Sequence, residues 1–163
     1  MTTIAYTNGI MASDSSWVGN DDIQDTSLTK IVRLASGALW GGAGDADDRE
    51  LVALLQHVKK PAQLPTKRQL NELKMDGAGL LVFPTGDVWK IEVGEKPEGC
   101  GVWPCNRGYA AVGSGAHLAI GYMGKGGSAR DAVAFACRFD PYSRLPVHYM
   151  PLKKGEKPRK KAA

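Results

Sequence analysis

The sequence predicts an α+β fold in which two antiparallel sheets pack face to face, each covered by helices on its outer side. Three observations predict it: pairs of short apolar runs around tight turns, a stretch of helical spacing between two sets of such pairs, and two helical stretches before a last strand. Hairpins place consecutive strands side by side in antiparallel order, and helices need an apolar sheet face to pack against. We therefore expect a four-layer αββα sandwich.

The first half of the chain contains two predicted hairpins. Residues 3–6 and 10–14 flank Asn8-Gly9, a dipeptide that supplies the positive φ values of a two-residue turn. The second hairpin joins residues 30–34 to residues 38–41. The chain is thus expected to begin with antiparallel strands.

The most regular helical pattern covers residues 45–60. Its apolar residues recur at helical spacing, at Leu51, Leu54, Leu55 and Val58. Acidic residues occupy its first turn, lysines its last, and a proline follows. The next segment, residues 61–77, is polar and allows only a short helix at 67–74.

The second half repeats the order of strands followed by helices. A hairpin is predicted for residues 80–83 and 88–93, and the glycine- and proline-rich residues 94–108 are expected to form a loop. A strand is then expected at 109–112, and a helix begins at the turn 113–115. A second helix is expected at 128–138 and a closing strand at 146–152.

The composition is typical of one soluble domain. The chain has 163 residues, 43% of them apolar, and neither a signal peptide nor an apolar stretch long enough to cross a bilayer. We expect a single domain at residues 2–152, located in the cytoplasm. Three cysteines without zinc-site spacing favour neither a disulfide framework nor a metal site, and no cofactor is expected.

The basic charge is concentrated at the C-terminus. Residues 153–163 carry a net charge of +5, against +4 for the whole chain. A tail rich in Lys, Pro and Gly is expected to be disordered. Nucleic-acid binding is a competing hypothesis, which a steep salt dependence lost on deletion of the tail would support.

Five motifs in one order resemble the proteasome β-subunit family, in particular its bacterial HslV peptidases. They are Thr2-Thr3-Ile4, residues 12–15, residues 29–34, the glycine turn 41–47 and Gly113-Ser114-Gly115. The resemblance covers about residues 2–150, although 61–108 match only in pattern. It implies the four-layer fold of N-terminal-nucleophile hydrolases.

The resemblance implies that Thr2 is the nucleophile of a threonine endopeptidase. A threonine hydroxyl attacks poorly until a base takes its proton. The α-amine of the same residue is such a base, since its unperturbed pKa of about 7.7 to 8.0 lies near neutrality. Met1 precedes a small residue, so we expect aminopeptidase to remove it and free the Thr2 amine.

Five further residues match the catalytic positions of the family. Lys30 would stabilise the Thr2 alkoxide, and Asp14 would pair with that lysine. Ser114, Asp140 and Ser143 would position the amine. Each has a simpler structural interpretation: a surface lysine, capping or helix-ending carboxylates, and a turn serine. Pro141 departs from the usual residue of the family.

The oxyanion hole and the substrate pocket are also carried over from the family. A developing oxyanion requires fixed N–H donors, and the alignment places this role on the backbone of Ala43, with Gly42 as the alternative. A phosphate loop is not supported, since its sequence pattern is missing. The pocket for the residue preceding the scissile bond is expected to be lined by Trp17, Leu28, Gly41, Asp45 and Arg49.

The family's members act as rings that receive unfolded chains from an ATPase ring, so the resemblance implies a peptide or unfolded-protein substrate, a homo-oligomeric ring and a possible ATPase unfoldase. The short helix at 67–74 and the missing closing helix depart from the family. Two alternatives stay open: a catalytically silent proteasome-like subunit, and an amidase with the same nucleophile for a small amide. No membrane partner is expected, and the scattered His57, His117 and His148 suggest no Ser-His-Asp triad.

Overall fold

The computed structural model describes residues 2–19, 22–25, 29–44, 48–73 and 75–153. The strands in these ranges are β1 Thr3–Thr7, β2 Ile10–Ser13, β3 Trp17–Gly19, β4 Asp22–Asp25, β5 Ile31–Arg33, β6 Leu39–Gly44, β7 Gly77–Val82, β8 Val88–Val93, β9 Gly101–Pro104, β10 Tyr109–Gly113 and β11 His148–Pro151. The helices are α1 Arg49–Leu55, α2 Lys67–Asn71, α3 Ala116–Gly124 and α4 Ala129–Phe139, with 3₁₀ turns at Pro61–Gln63 and Pro97–Gly99.

The strands form two main antiparallel sheets. One has the order β10-β1-β2-β11 and the other the order β5-β6-β7-β8-β9, while β3 and β4 pair only with each other. In the first sheet, Thr3 lies opposite Gly113 and Ile4 opposite Ser13. The central place of β1 therefore puts the residue before it, Thr2, between the ends of its two neighbours.

Three buried clusters show how the layers stack. The side chains between the two sheets include Ile4, Met11, Leu39 and Leu80. The outer face of the five-stranded sheet packs on α1 and α2 through a cluster that includes Trp40, Leu51, Leu70 and Leu81. The outer face of the other sheet packs on α3 and α4 through small residues such as Ala5, Ala12, Ala119 and Ala132. The predicted αββα sandwich is confirmed.

The predicted helix at 45–60 is shorter in the structure. Residues 45–47 lie outside the described part of the chain, and α1 ends at Leu55. Gln56 accepts two hydrogen bonds from the β5–β6 turn, from Ser36 N to its main chain and from Ala35 N to its side chain. These tertiary bonds replace the helical continuation that periodicity predicts. No helix in the described ranges is long and apolar enough to cross a membrane.

Three strands were not predicted. The residues expected to form a loop at 94–108 contain β9, which extends the sheet by pairing with β8. Strands β3 and β4 form a small ribbon of their own after β2. Each of these strands has only three or four residues, which is too short for alternating hydrophobicity to be recognised.

Candidate active site

Thr2, Asp14 and Lys30 meet at one end of the sandwich. Each lies just outside a strand: Thr2 before β1, Asp14 after β2 and Lys30 before β5. The Lys30 ammonium donates hydrogen bonds to the Thr2 hydroxyl at 2.7 Å and to Asp14 Oδ1 at 2.9 Å. The side chain of Lys30 is 6% exposed and that of Asp14 is fully buried. The structure thus brings the three predicted residues together across the two sheets.

Asp14 is held by the main chain as well as by Lys30. Its Oδ1 accepts the Thr3 N–H at 2.9 Å, and its Oδ2 accepts both the N–H and the hydroxyl of Ser16. The Arg144 N–H is a third donor to Oδ2, at 3.3 Å. These donors fix the carboxylate and therefore fix the ammonium that it binds. Ser16 and Arg144 were not among the predicted site residues, because no motif marks them.

Burial lowers the pKa of the Lys30 ammonium below its ordinary value of 10.5. The negative charge of Asp14 and its hydrogen bond raise the same pKa and so oppose the effect of burial. The ion pair is therefore required to keep a charge on a lysine that the protein has removed from water.

Ser114, Asp140 and Ser143 form a second group on the other side of Thr2. Asp140 Oδ2 accepts the hydroxyls of Ser114 at 2.7 Å and of Ser143 at 2.5 Å. Ser143 Oγ lies 2.6 Å from Thr3 Oγ1, so a chain of hydroxyls runs from Thr3 to the Asp140 carboxylate. The Ser114 hydroxyl also donates a long bond of 3.4 Å to the Thr2 carbonyl. The structure groups the three predicted residues and adds Thr3 to them.

Gly113 allows this group to approach Thr2. It ends β10 with a φ of 94°, and a Cβ at this position would overlap the Thr2 carbonyl oxygen. Gly113 is therefore required on steric grounds, because any side chain at this position would push Thr2 away.

The predicted oxyanion donors need correction. The Gly42 N–H donates to the Lys30 carbonyl oxygen at 3.3 Å, so it is not free for a substrate. Amide groups alternate sides along an antiparallel strand, which turns the Ala43 N–H toward its partner Ala78 in β7. Neither predicted N–H is available on the side where Lys30 lies.

Gly44 supplies the N–H that the sequence alignment misplaced. The Ala43 carbonyl oxygen lies beside Gly77 of β7, only 2.7 Å from where a Cβ of Gly77 would be. Because a trans peptide points its carbonyl and its N–H in opposite directions, the N–H of Gly44 faces the Lys30 side. Gly44 is exposed and has a φ of 127°, a conformation that favours glycine.

The predicted pocket residues are only partly described. Gly41 is buried, and a Cβ there would meet Ile4 and Met11, so this glycine serves the packing between the sheets and does not line a pocket. Trp17 lies in β3, where the structure describes only its main chain, and Arg49 is exposed at the start of α1. Leu28 and Asp45 lie outside the described residues.

Cys137 lies on α4 close to the two carboxylates of the site. Burial raises the pKa of its thiol to about 11, and the charges of Asp14 and Asp140 act in the same direction. A thiol with this pKa stays protonated at neutral pH and is a poor nucleophile. Cys137 is therefore a poor candidate for a nucleophile at this site.

The four-layer sandwich is the fold of N-terminal-nucleophile hydrolases. The cluster around Thr2 lies where the first strand begins. Among solved structures, the chain is similar to the eukaryotic HslV from Trypanosoma brucei, with 17% identity, a TM-score of 0.68 and coverage of 92% of this chain and 98% of that one. It is also similar to Thiobacillus denitrificans BPH, with 19% identity, a TM-score of 0.63 and coverage of 94% and 98%. The same protein in complex with epoxomicin gives a TM-score of 0.64.

The resemblance inferred from the sequence motifs is thus confirmed by an HslV structure, at the level of the fold. No protein-family model matches the chain, and no curated protein does. At these identities the role of each residue has to be argued from the site itself.

Proposed function

We propose that this chain is a threonine peptidase in which the Thr2 hydroxyl attacks the peptide bond after removal of Met1. The observation that carries the proposal is the 2.7 Å hydrogen bond from the buried Lys30 ammonium to Thr2 Oγ1, backed by the ion pair with Asp14. A cation beside a hydroxyl stabilises the alkoxide that develops during attack.

The reaction follows from the groups around Thr2. Its α-amine takes the hydroxyl proton, and Oγ1 adds to the scissile carbonyl carbon. The Gly44 N–H faces the side where negative charge develops on the carbonyl oxygen. The amine then returns its proton to the leaving amino group, which departs and leaves an ester on Thr2. Water, deprotonated by the same amine, hydrolyses the ester and restores the site.

Ser114, Asp140 and Ser143 position the first residues of β1. Asp140 anchors Ser114 against the Thr2 carbonyl and, through Ser143, holds the Thr3 side chain. This fixes the backbone that follows the Thr2 Cα, and so holds the residue that carries the amine in place. Pre-organisation of this kind lowers the cost of reaching the attacking geometry.

The similar structures support the reaction class. One of them is a complex with epoxomicin, a peptide epoxyketone, and another is an HslV. By analogy with these structures, we propose that the chain acts on peptides or unfolded proteins. We also propose that it forms a homo-oligomeric ring with an ATPase unfoldase as partner. The three cysteines are free, which supports a reducing, cytoplasmic location.

The test is the intact mass of the protein before and after incubation with a peptide α′,β′-epoxyketone, a reagent that needs both a hydroxyl and a free N-terminal amine. We expect a mass without Met1 that gains one inhibitor, and no gain in Thr2→Ala. Thr2→Ser should still react. A protein that lacks Met1 and gains nothing would refute the proposal and favour a silent structural subunit.

A further inference from the structure

The side chain missing at Gly42 lets an acidic side chain lie against the strand next to the candidate nucleophile. Gly42 lies opposite Lys30, to whose carbonyl it donates its N–H, and Lys30 in turn reaches Thr2. Gly44, two residues along the same strand, offers its N–H on the same side. A peptide with its scissile carbonyl between Thr2 and Gly44 can lie along this strand with the residue preceding that bond beside Gly42.

This acidic side chain is that of Asp48, and it occupies the place that a side chain at Gly42 would take. A Cβ built on Gly42 would lie 2.7 Å from Asp48 Oδ2 and 3.2 Å from Trp40 Nε1, two atoms that are themselves hydrogen-bonded at 2.8 Å. Asp48 is half-buried and immediately precedes α1, where its side chain makes no capping hydrogen bond. Its carboxylate is therefore directed at Trp40 and lies against the main chain of Gly42.

The position of this carboxylate is well fixed. The Trp40 ring is 2% exposed and lies over Gly79, where any Cβ would overlap it. The ring cannot turn in this packing, so its N–H holds Asp48 in place. The indole is a neutral donor, so this hydrogen bond does not neutralise the negative charge of the carboxylate.

We propose that Asp48 is the residue that selects the substrate: its carboxylate binds a lysine or arginine side chain of the residue preceding the scissile bond. The inference rests on the proposed peptidase function. The apolar stem of such a side chain would run along Val32, which is 39% exposed and pairs with Trp40, while its cation reaches Asp48. A charge-assisted hydrogen bond in a half-buried place discriminates strongly against neutral and acidic side chains.

The experiment compares fluorogenic peptides that differ only in the residue before the cleaved bond: Arg, Lys, Leu or Glu. We expect the kcat/KM values for Arg and Lys to exceed that for Leu by at least about tenfold, with Glu the poorest. Asp48→Asn keeps the shape of the side chain and an acceptor for Trp40. It should lower kcat/KM for the basic peptides by about 10- to 100-fold and leave the Leu peptide within about twofold. Glu50→Gln, which removes an exposed carboxylate from the first turn of the same helix, should change none of these ratios.

A second measurement uses the wild-type protein alone and does not depend on folding of the variant. Peptide epoxyketones ending in Arg or Leu should label it at rates that differ in the same direction. Equal rates, faster reaction with Leu, or a basic preference that survives in Asp48→Asn would overturn the role of Asp48 and leave the peptidase intact. Absence of both labelling and hydrolysis for every peptide would overturn the inference and the proposed function together.

Discussion

The Lys30 ammonium lies 2.7 Å from the Thr2 hydroxyl, although the two residues belong to different sheets. Asp14, on the sheet of Thr2, completes the contact from the other side of the ammonium. The ion pair therefore joins the two sheets at the point where chemistry is proposed. Substitution of Asp14 and substitution of Lys30 should therefore have different effects on stability and on catalysis.

Asp14→Asn should destabilise the protein by about 3 to 5 kcal/mol, because it leaves the Lys30 ammonium buried without a counter-charge. It should also reduce activity severely, since the ammonium is no longer held against Thr2. Urea unfolding and peptide hydrolysis measure the two effects. Arg68→Ala is the control: it breaks an ion pair with Glu72 whose side chains are 90% and 63% exposed, and should cost less than about 1 kcal/mol. An equally small loss in Asp14→Asn would contradict the role given to the buried pair.

The lowered pKa of Lys30 predicts how stability changes with pH. Its pKa is lower in the folded protein than in the unfolded chain, so the unfolded chain binds more protons between the lowered value and 10.5. The contribution of Lys30 to the free energy of unfolding therefore rises with pH in that window, and its full cost is present below it. Activity should fall in the same window as the ammonium is lost.

The measurement is urea unfolding of the wild type and of Lys30→Met from neutral pH to pH 10.5. The stability of the wild type relative to the variant should increase as the pH rises. Lys67→Met removes an exposed lysine on α2 and controls for the loss of one charge. If the free energy of unfolding of the wild type relative to Lys30→Met stays constant or decreases as the pH rises, burial does not govern the pKa of this lysine.

The sequence predicted much of the fold and the catalytic group, for a physical reason. Thr2, Asp14 and Lys30 sit at the ends of hairpin strands whose turns and apolar runs are strong local signals. Their placement follows once the strands are paired.

The oxyanion donor and the selecting carboxylate could not be predicted in the same way. The pairing of β6 with both neighbouring strands decides which N–H of residues 42–44 is free. A shift of one residue in the register would free a different N–H. Asp48 was passed over because it lies beyond the recognised glycine turn and resembles an ordinary helix cap. Its importance appears only once the fold places its carboxylate against Gly42 and Trp40.

Thiol reagents should not abolish the proposed hydrolysis. With a pKa of about 11, Cys137 has only about 0.1% thiolate at pH 8, so iodoacetamide should react with it slowly. Cys137→Ala should retain hydrolytic activity and epoxyketone labelling. Mass spectrometry after alkylation identifies the modified residues. Rapid alkylation of Cys137 that parallels loss of activity would point to a thiol nucleophile and contradict the assignment to Thr2.

Gly113→Ala should abolish activity while Gly86→Ala should not, although both glycines have similar positive φ values, 94° and 97°. Each substitution forces alanine into a left-handed conformation, at a cost of the order of 1 to 3 kcal/mol. Only at Gly113 would the new Cβ overlap the Thr2 carbonyl, whereas nothing lies within 4 Å of the Cβ position at Gly86.

The two variants therefore separate backbone strain from displacement of the nucleophile. Gly86→Ala should show a modest decrease in melting temperature with labelling by the epoxyketone intact. Gly113→Ala should show a larger decrease, and at a temperature where it remains folded it should be labelled at least about 100-fold more slowly, since small misplacements at a reacting centre cost this much. Equal labelling of the two folded variants would mean that the close approach of Gly113 to Thr2 does not position the nucleophile.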